Sequence, residues 1–176
     1  MKSIGIIGQG FVGTAVNEGL AKFYNIETYD ISKDSTCSSL EELCGKSDII
    51  FVCLPTPMDS SGRCHLGIIE PVLGNINDST NGKIIVVKST VPPGTTEKWN
   101  KMYKNISIVF NPEFLTEANS IEDFKNQNRI IVGGGRRAAT KVVRIYKKAF
   151  PKVPIIKTGS TYAEMVKYVT NSFLAT

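Results

Sequence analysis

Seven short apolar runs, rich in β-branched residues, recur along the chain: "SIGII" (3–7), "IETY" (26–29), "DIIFVCL" (48–54), "KIIVVK" (83–88), "ISIVF" (106–110), "RIIVG" (129–133) and "VPIIK" (153–157). In most of them apolar residues follow one another instead of alternating with polar ones, the pattern of strands covered on both faces. Between the runs, apolar positions fall at helical spacing and predict helices over 11–22, 39–45, 66–77, 95–103 and 137–149. Ser39 followed by Glu42 reads as a capping box for the second helix, and Thr95 or Thr96 as the cap of the fourth. Strand and helix in alternation predict an α/β fold, a doubly wound and mostly parallel sheet.

The final segment, "STYAEMVKYVTNSFLAT", sets Tyr162, Met165, Val169 and Phe173 at helical spacing behind Ser160 or Thr161. It reaches Thr176 with no Gly, Pro or other stop signal. The expected division is a domain over 1–158 and, over 159–176, the beginning of a long helix leading to a further domain. Its apolar face belongs against that domain or another subunit.

The first strand runs into "GQGFVG", so that Gly8, Gly10 and Gly13 form a G-x-G-x-x-G loop opening a helix. Gly8 permits the turn, Gly10 lets backbone approach a pyrophosphate, and Gly13 allows helix and strand to pack closely. The N–H groups at the helix start then face the phosphates. Asp30 ends the second strand, at the spacing where a carboxylate accepts hydrogen bonds from the adenosine ribose hydroxyls. The expected site is a Rossmann-type dinucleotide groove favouring NAD over NADP, with Lys33 nearby working against that preference.

Composition changes this picture little. At 41% hydrophobic and 21% charged residues, the chain has the make-up of a soluble globular protein. The formal charge of +5 is spread out with no run of five basic residues, which predicts neither a nucleic-acid nor a membrane-binding patch. The apolar stretch at the N-terminus is too short for a signal peptide, and a cytoplasmic protein is expected. Cys37, Cys44, Cys53 and Cys64 form no CxxC pair and no metal-ligand spacing, so reduced thiols and no metal are expected.

The later strand ends carry the remaining chemistry. They run into "LPTP" (54–57), "KSTVPPG" (88–94) and "NPEFLTE" (111–117), where prolines stiffen the loops and Thr56, Ser89 and Thr90 offer uncharged hydroxyls suited to a nicotinamide pocket. In order and spacing, "GQGFVG", "PTP", "KSTVPPGTT", "NPEFLTEANSIEDF", "RIIVGG" and "AEMVKYVTNSFLAT" resemble the N-terminal domain of the UDP-glucose/GDP-mannose dehydrogenase family over nearly the whole chain. "NPEFLTE" and "VKYVTN" are the most diagnostic pieces.

That resemblance implies oxidation of a sugar nucleotide at C6, UDP-glucose foremost, with two NAD+ used in succession. It implies that Gly8, Gly10, Phe11, Val12, Gly13 and Asp30 hold the adenosine diphosphate half, and that Thr56, Thr90 and Glu117 lie near the nicotinamide. Glu113, Phe114, Leu115 and Glu117 would face the sugar, the two carboxylates as partly buried acid–base groups and the apolar pair as a wall. Lys167 and Asn171, one helical turn apart, would steady the oxygen that gains negative charge. The catalytic set so implied is Thr90, Glu113, Glu117, Lys167 and Asn171. A homodimer through the long helix is implied for the full-length form.

The chain departs from the family pattern in three places. The family's nucleophilic cysteine lies beyond Thr176, the segment after Asp30 is short, and His65 stands where the family commonly has Asp. On this reading the chain by itself is inactive. Two other readings remain open at this point: a β-hydroxyacid-dehydrogenase-like enzyme, or a stand-alone NAD-binding module.

Overall fold

The computed structural model describes residues 3–174. Fourteen elements alternate: β1 (Ser3–Ile7), α1 (Phe11–Leu20), β2 (Ile26–Tyr29), α2 (Leu40–Lys46), β3 (Ser47–Val52), α3 (Ile69–Ser79), β4 (Lys83–Val87), α4 (Thr95–Met102), β5 (Ile106–Phe110), α5 (Ser120–Lys125), β6 (Ile130–Gly134), α6 (Arg136–Ala149), β7 (Ile155–Thr158) and α7 (Ser160–Leu174). The seven strands form one sheet in the order β2-β1-β3-β4-β5-β6-β7. Strands β1 to β5 are parallel, whereas β6 pairs antiparallel with β5 and β7 follows β6 in parallel. This is the doubly wound α/β fold expected from the strand pattern.

The continuous apolar runs are explained by the two cores. Ile4, Ile6, Ile49, Phe51, Ile84 and Val86 pack on one face with Ala15 and Val16 of α1 and Val142 and Ile145 of α6. Their neighbours Ile7, Ile50, Val52, Ile85 and Val87 point to the other face, against Leu43, Leu73, Trp99 and Ala163. Adjacent strand side chains point to opposite faces, so a strand buried on both must be apolar throughout. Each such fully buried side chain stabilises the fold by roughly 1.5–3 kcal/mol relative to exposure.

Strand and helix ends correct the expectations in detail. β3 stops at Val52 and not at Leu54. Cys53 still donates its N–H to the Ile7 carbonyl, but Pro55 has no N–H to continue the ladder. α1 ends at Leu20 and α3 begins at Ile69, three residues later than expected, so His65 lies exposed in the loop before it. Glu122 and Asp123, which in sequence read as part of a solvated helical turn, lie in the short helix α5. The last two residues of the predicted final helix lie outside the described residues.

The predicted capping box is half realised. The Ser39 hydroxyl accepts from the Glu42 N–H at 3.2 Å. The Glu42 carboxylate, however, takes the N–H and hydroxyl of Ser38, not the N–H of Ser39. At α4 neither Thr95 nor Thr96 is the cap. Gly94 holds that position at φ 91°, and the acceptor comes from α7, where the buried Glu164 carboxylate takes the N–H groups of Gly94 (2.6 Å) and Thr96 (2.8 Å).

Candidate functional site

Because β1 to β5 are parallel, their carboxyl ends share one edge of the sheet. From β1 the chain goes outward to β2, then returns to lay β3, β4 and β5 on the other side. Loops therefore diverge between β1 and β3 and leave a crevice there, as in other doubly wound sheets.

The glycine loop forms the floor of that crevice. Gly8 has φ 90°, and a Cβ there would lie 2.6 Å from the Cys53 carbonyl oxygen. A Cβ on Gly13 would come within 1.8 Å of the Gly8 carbonyl oxygen, so the helix start can lie on the loop only without a side chain. Gly10, in contrast, has nothing within 4 Å of such a position, and α1 begins behind it with no side-chain cap. Open space before uncapped helix N–H groups suits an anion.

A groove of about 720 Å³ runs from Asp30 and Ile31, past Gly8, Gly10, Phe11 and Val12, to Thr56, Lys88, Thr90 and Glu113. Gly13 lies beneath the loop and does not line it. The Asp30 carboxylate is held in place at one end. Its Oδ2 accepts from the Gln9 N–H at 2.6 Å, and its Oδ1 from the N–H and hydroxyl of Ser32 and the N–H of Lys33. Burial works against the charge, but these hydrogen bonds outweigh it and lower the carboxyl pKa, so Asp30 is an anion. Among the described residues Oδ2 has a single donor, which leaves it a lone pair for one more. The Lys33 ammonium donates to the Gln9 carbonyl at 2.7 Å. These features fit a dinucleotide with a free ribose hydroxyl.

At the other end the hydroxyls are directed by backbone. The Thr56 hydroxyl donates to the Thr90 carbonyl (2.7 Å) and that of Ser89 to the Leu54 carbonyl (2.6 Å), tying the loops after β3 and β4 together.

A second cavity of about 460 Å³ lies beside the first, between the loop after β5 and α7. Because β7 runs opposite to β5, α7 returns toward the groove edge and carries Lys167 to Glu113. Their side chains are 7% and 10% exposed and joined at 2.8 Å. The other Glu113 oxygen accepts from the Leu115 N–H at 2.7 Å, so the carboxylate is fixed from both sides. Asn171 lines the same cavity with Phe114 and Leu115. Two cations lie over the Phe114 ring, Arg129 at 4.5 Å and Lys167 at 5.6 Å from its centre.

The structure thus brings Glu113, Phe114, Leu115, Lys167 and Asn171 together, and Thr56 with Thr90. Glu117 departs from the expectation. It lies among the exposed residues Thr116–Asn119 and lines neither cavity, because the chain turns outward between Leu115 and α5. Sequence reasoning did not single out Lys88, which is 4% exposed and donates to Asn111 Oδ1 at 3.0 Å. Asn111 also accepts from the Tyr146 hydroxyl, and its Nδ2 donates to the Ile131 carbonyl at 2.7 Å. A lysine ending a buried strand beside polar Ser89 and Thr90 was the available signal.

The match to known proteins agrees with this geometry. Residues 35–150 match the UDP-glucose/GDP-mannose dehydrogenase family, NAD binding domain. UDP-glucose 6-dehydrogenase TuaD of Bacillus subtilis is 38% identical over 138 residues, covering 74% of this chain and 30% of that protein. UDP-glucose 6-dehydrogenase AglM of Haloferax volcanii is 27% identical over 219 residues, 98% of this chain and 51% of its own. The structure of a UDP-glucose dehydrogenase from Pyrobaculum islandicum superposes with TM-score 0.87 at 28% identity, over 99% of this chain and 50% of that one. The chain spans about half or less of the length of these relatives. It belongs to the UDP-glucose/GDP-mannose dehydrogenase family, to the domain that binds NAD.

Proposed function

We propose that the chain holds NAD for the oxidation of a nucleotide sugar, UDP-glucose foremost, from the C6 alcohol to the carboxylate in two hydride transfers. The observation that carries this reading is that the cofactor groove and the second cavity meet at Glu113, whose carboxylate is fixed by Lys167 at 2.8 Å. A sugar carbon in the second cavity would thereby face the inner end of the groove.

NAD, when bound, supplies the hydride acceptor. The protein must then manage the oxygen. The hydroxyl gives up its proton to solvent, and its oxygen carries negative charge until departure of hydride from the carbon makes it a carbonyl. Lys167 and Asn171, at i,i+4 on α7 and lining one cavity, supply donors to that oxygen at low entropic cost. Glu113 holds the Lys167 ammonium in position, and Phe114 and Leu115 give the sugar an apolar wall.

The second oxidation needs a thiol that captures the aldehyde. Burial pushes all four thiols of this chain above their ordinary pKa, Cys53 to about 12. Such thiols are protonated and poorly nucleophilic near neutrality, so we assign that role to a further domain. α7 would lead into that domain. Its exposed Tyr162, Met165 and Val169 would be covered by it or by a second copy in a homodimer.

Activity of a longer polypeptide carrying that domain tests the assignment. Lys167→Ala and Asn171→Ala should each lower kcat by on the order of 10²–10³, with a smaller effect on KM. A change below about threefold in both would place the donors elsewhere. The 176-residue chain alone should bind NAD+ without producing NADH from UDP-glucose. Steady NADH production that survives Cys→Ser at all four positions would contradict the division of roles.

A further inference from the structure

Among the residues lining the two cavities, only Glu113 and Lys88 belong to both. Glu113 already has Lys167 and the Leu115 N–H as partners. Lys88 is different. An ammonium has three N–H donors, and among the described residues Lys88 donates one of them, to Asn111 Oδ1. The Asn111 amide is held by the Tyr146 hydroxyl and the Ile131 carbonyl, so Lys88 is anchored while two of its donors remain unused.

The groups facing Lys88 come from every neighbouring element. At the end of β3, the Cys53 thiol is neutral, its pKa pushed up to about 12 by burial. The loop after β5 presents the Glu113 carboxylate, and α7 presents the Lys167 ammonium. From α6 comes the neutral Tyr146 hydroxyl, by way of Asn111, and from α5 the Phe124 ring, 5.8 Å from Nζ. Two ammonium groups and one carboxylate leave an excess positive charge at the inner end of the groove. Burial, with the repulsion of Lys167 and against the attraction of the Glu113 carboxylate, brings Lys88 down to about 8.

The crevice topology sends the adenosine half of the dinucleotide toward Asp30 and the nicotinamide half toward Lys88 and Glu113. The oxidised nicotinamide ring carries a positive charge, and the reduced ring carries none. We propose that Lys88 sets the preference of this groove between oxidised and reduced cofactor, releasing its proton to solvent when NAD+ enters and keeping it when NADH enters. The proposal rests on the seating of the cofactor in this groove and needs no sugar substrate. NAD+ binding should therefore strengthen as pH rises, while NADH binding should not.

Calorimetric titration of the chain with NAD+ and with NADH, between about pH 6.5 and 9.5, tests this. Below the Lys88 pKa the affinity for NAD+ should rise by up to about tenfold per pH unit, as one released proton requires. Repeating the titrations in two buffers of different ionisation enthalpy should show proton release with NAD+ and almost none with NADH. Lys88→Met should make the ratio of the two affinities independent of pH. Lys88→Arg, which keeps a charge that does not titrate, should leave NAD+ weak throughout. Equal proton release with both cofactors, or a ratio that still moves with pH in Lys88→Met, would overturn the proposal. Should neither variant fold, the two-buffer comparison on the unaltered chain still decides. Failure of both cofactors to bind at any pH would instead remove the cofactor assignment, and this proposal with it.

Discussion

Asp30 joins two functions that the sequence shows separately. It closes the glycine loop by taking the Gln9 N–H, and it presents a fixed anion at the end of the groove. Replacing it by Ala removes a charged acceptor worth roughly 1.5–3 kcal/mol per hydrogen bond, so the preference for NAD+ over NADP+ should narrow by roughly tenfold or more. Parallel titrations of both cofactors measure this, and an unchanged ratio would show that discrimination lies elsewhere. Asp30 and the three glycines were legible because their roles follow from local spacing after a strand. Glu117 is exposed, not partly buried as its sequence context predicts, because its burial depends on where the chain turns after Leu115. Lys88 was passed over for the same kind of reason. Its partners Asn111 and Tyr146 are remote in sequence, and nothing local says that a lysine at a strand end will be covered.

The elements were read well where their pattern is self-contained, as in strands buried on both faces. They were read poorly where one element completes another. The cap of α4 is the clearest case, because its acceptor, Glu164, is supplied by α7, far along the chain. This contact also ties the helix bearing Lys167 and Asn171 to the loop bearing Thr90. Losing it in Glu164→Ala should cost roughly 2 kcal/mol, a fall of about 4–8 °C in Tm for a domain of this size. Glu164→Gln keeps one of the two oxygen acceptors and should cost less. Burial, partly offset by the Thr96 and Gly94 hydrogen bonds, raises the Glu164 carboxyl pKa above its ordinary value. The folded state therefore holds that proton more tightly, and the associated stability is complete below about pH 4.5 and lost as pH rises through the raised value. Melting curves should show the unaltered chain losing ground to Glu164→Gln over that rise. Parallel pH profiles would mean that Glu164 does not titrate differently in the fold.

Across the whole molecule, reversal of the sheet after β5 gives the site its form. Five parallel strands open a groove at one edge, and the turned β6–β7 pair returns α7 to the same edge, where its lysine reaches Glu113. The strand pattern predicted the fold class, but the antiparallel junction was invisible in it, since buried strands of either direction carry the same apolar residues. Among the described residues no helix is long and apolar enough to cross a membrane. On the proposed reading, one groove seats NAD with its adenosine end at Asp30 and its nicotinamide end where the second cavity begins. A crystal structure of the chain grown with NAD+ tests this most directly. The pyrophosphate is predicted over Gly10 at the start of α1, a ribose hydroxyl on Asp30, and the nicotinamide between Thr90 and Glu113. NAD+ in the second cavity, or lying reversed with its nicotinamide at Asp30, would contradict the account.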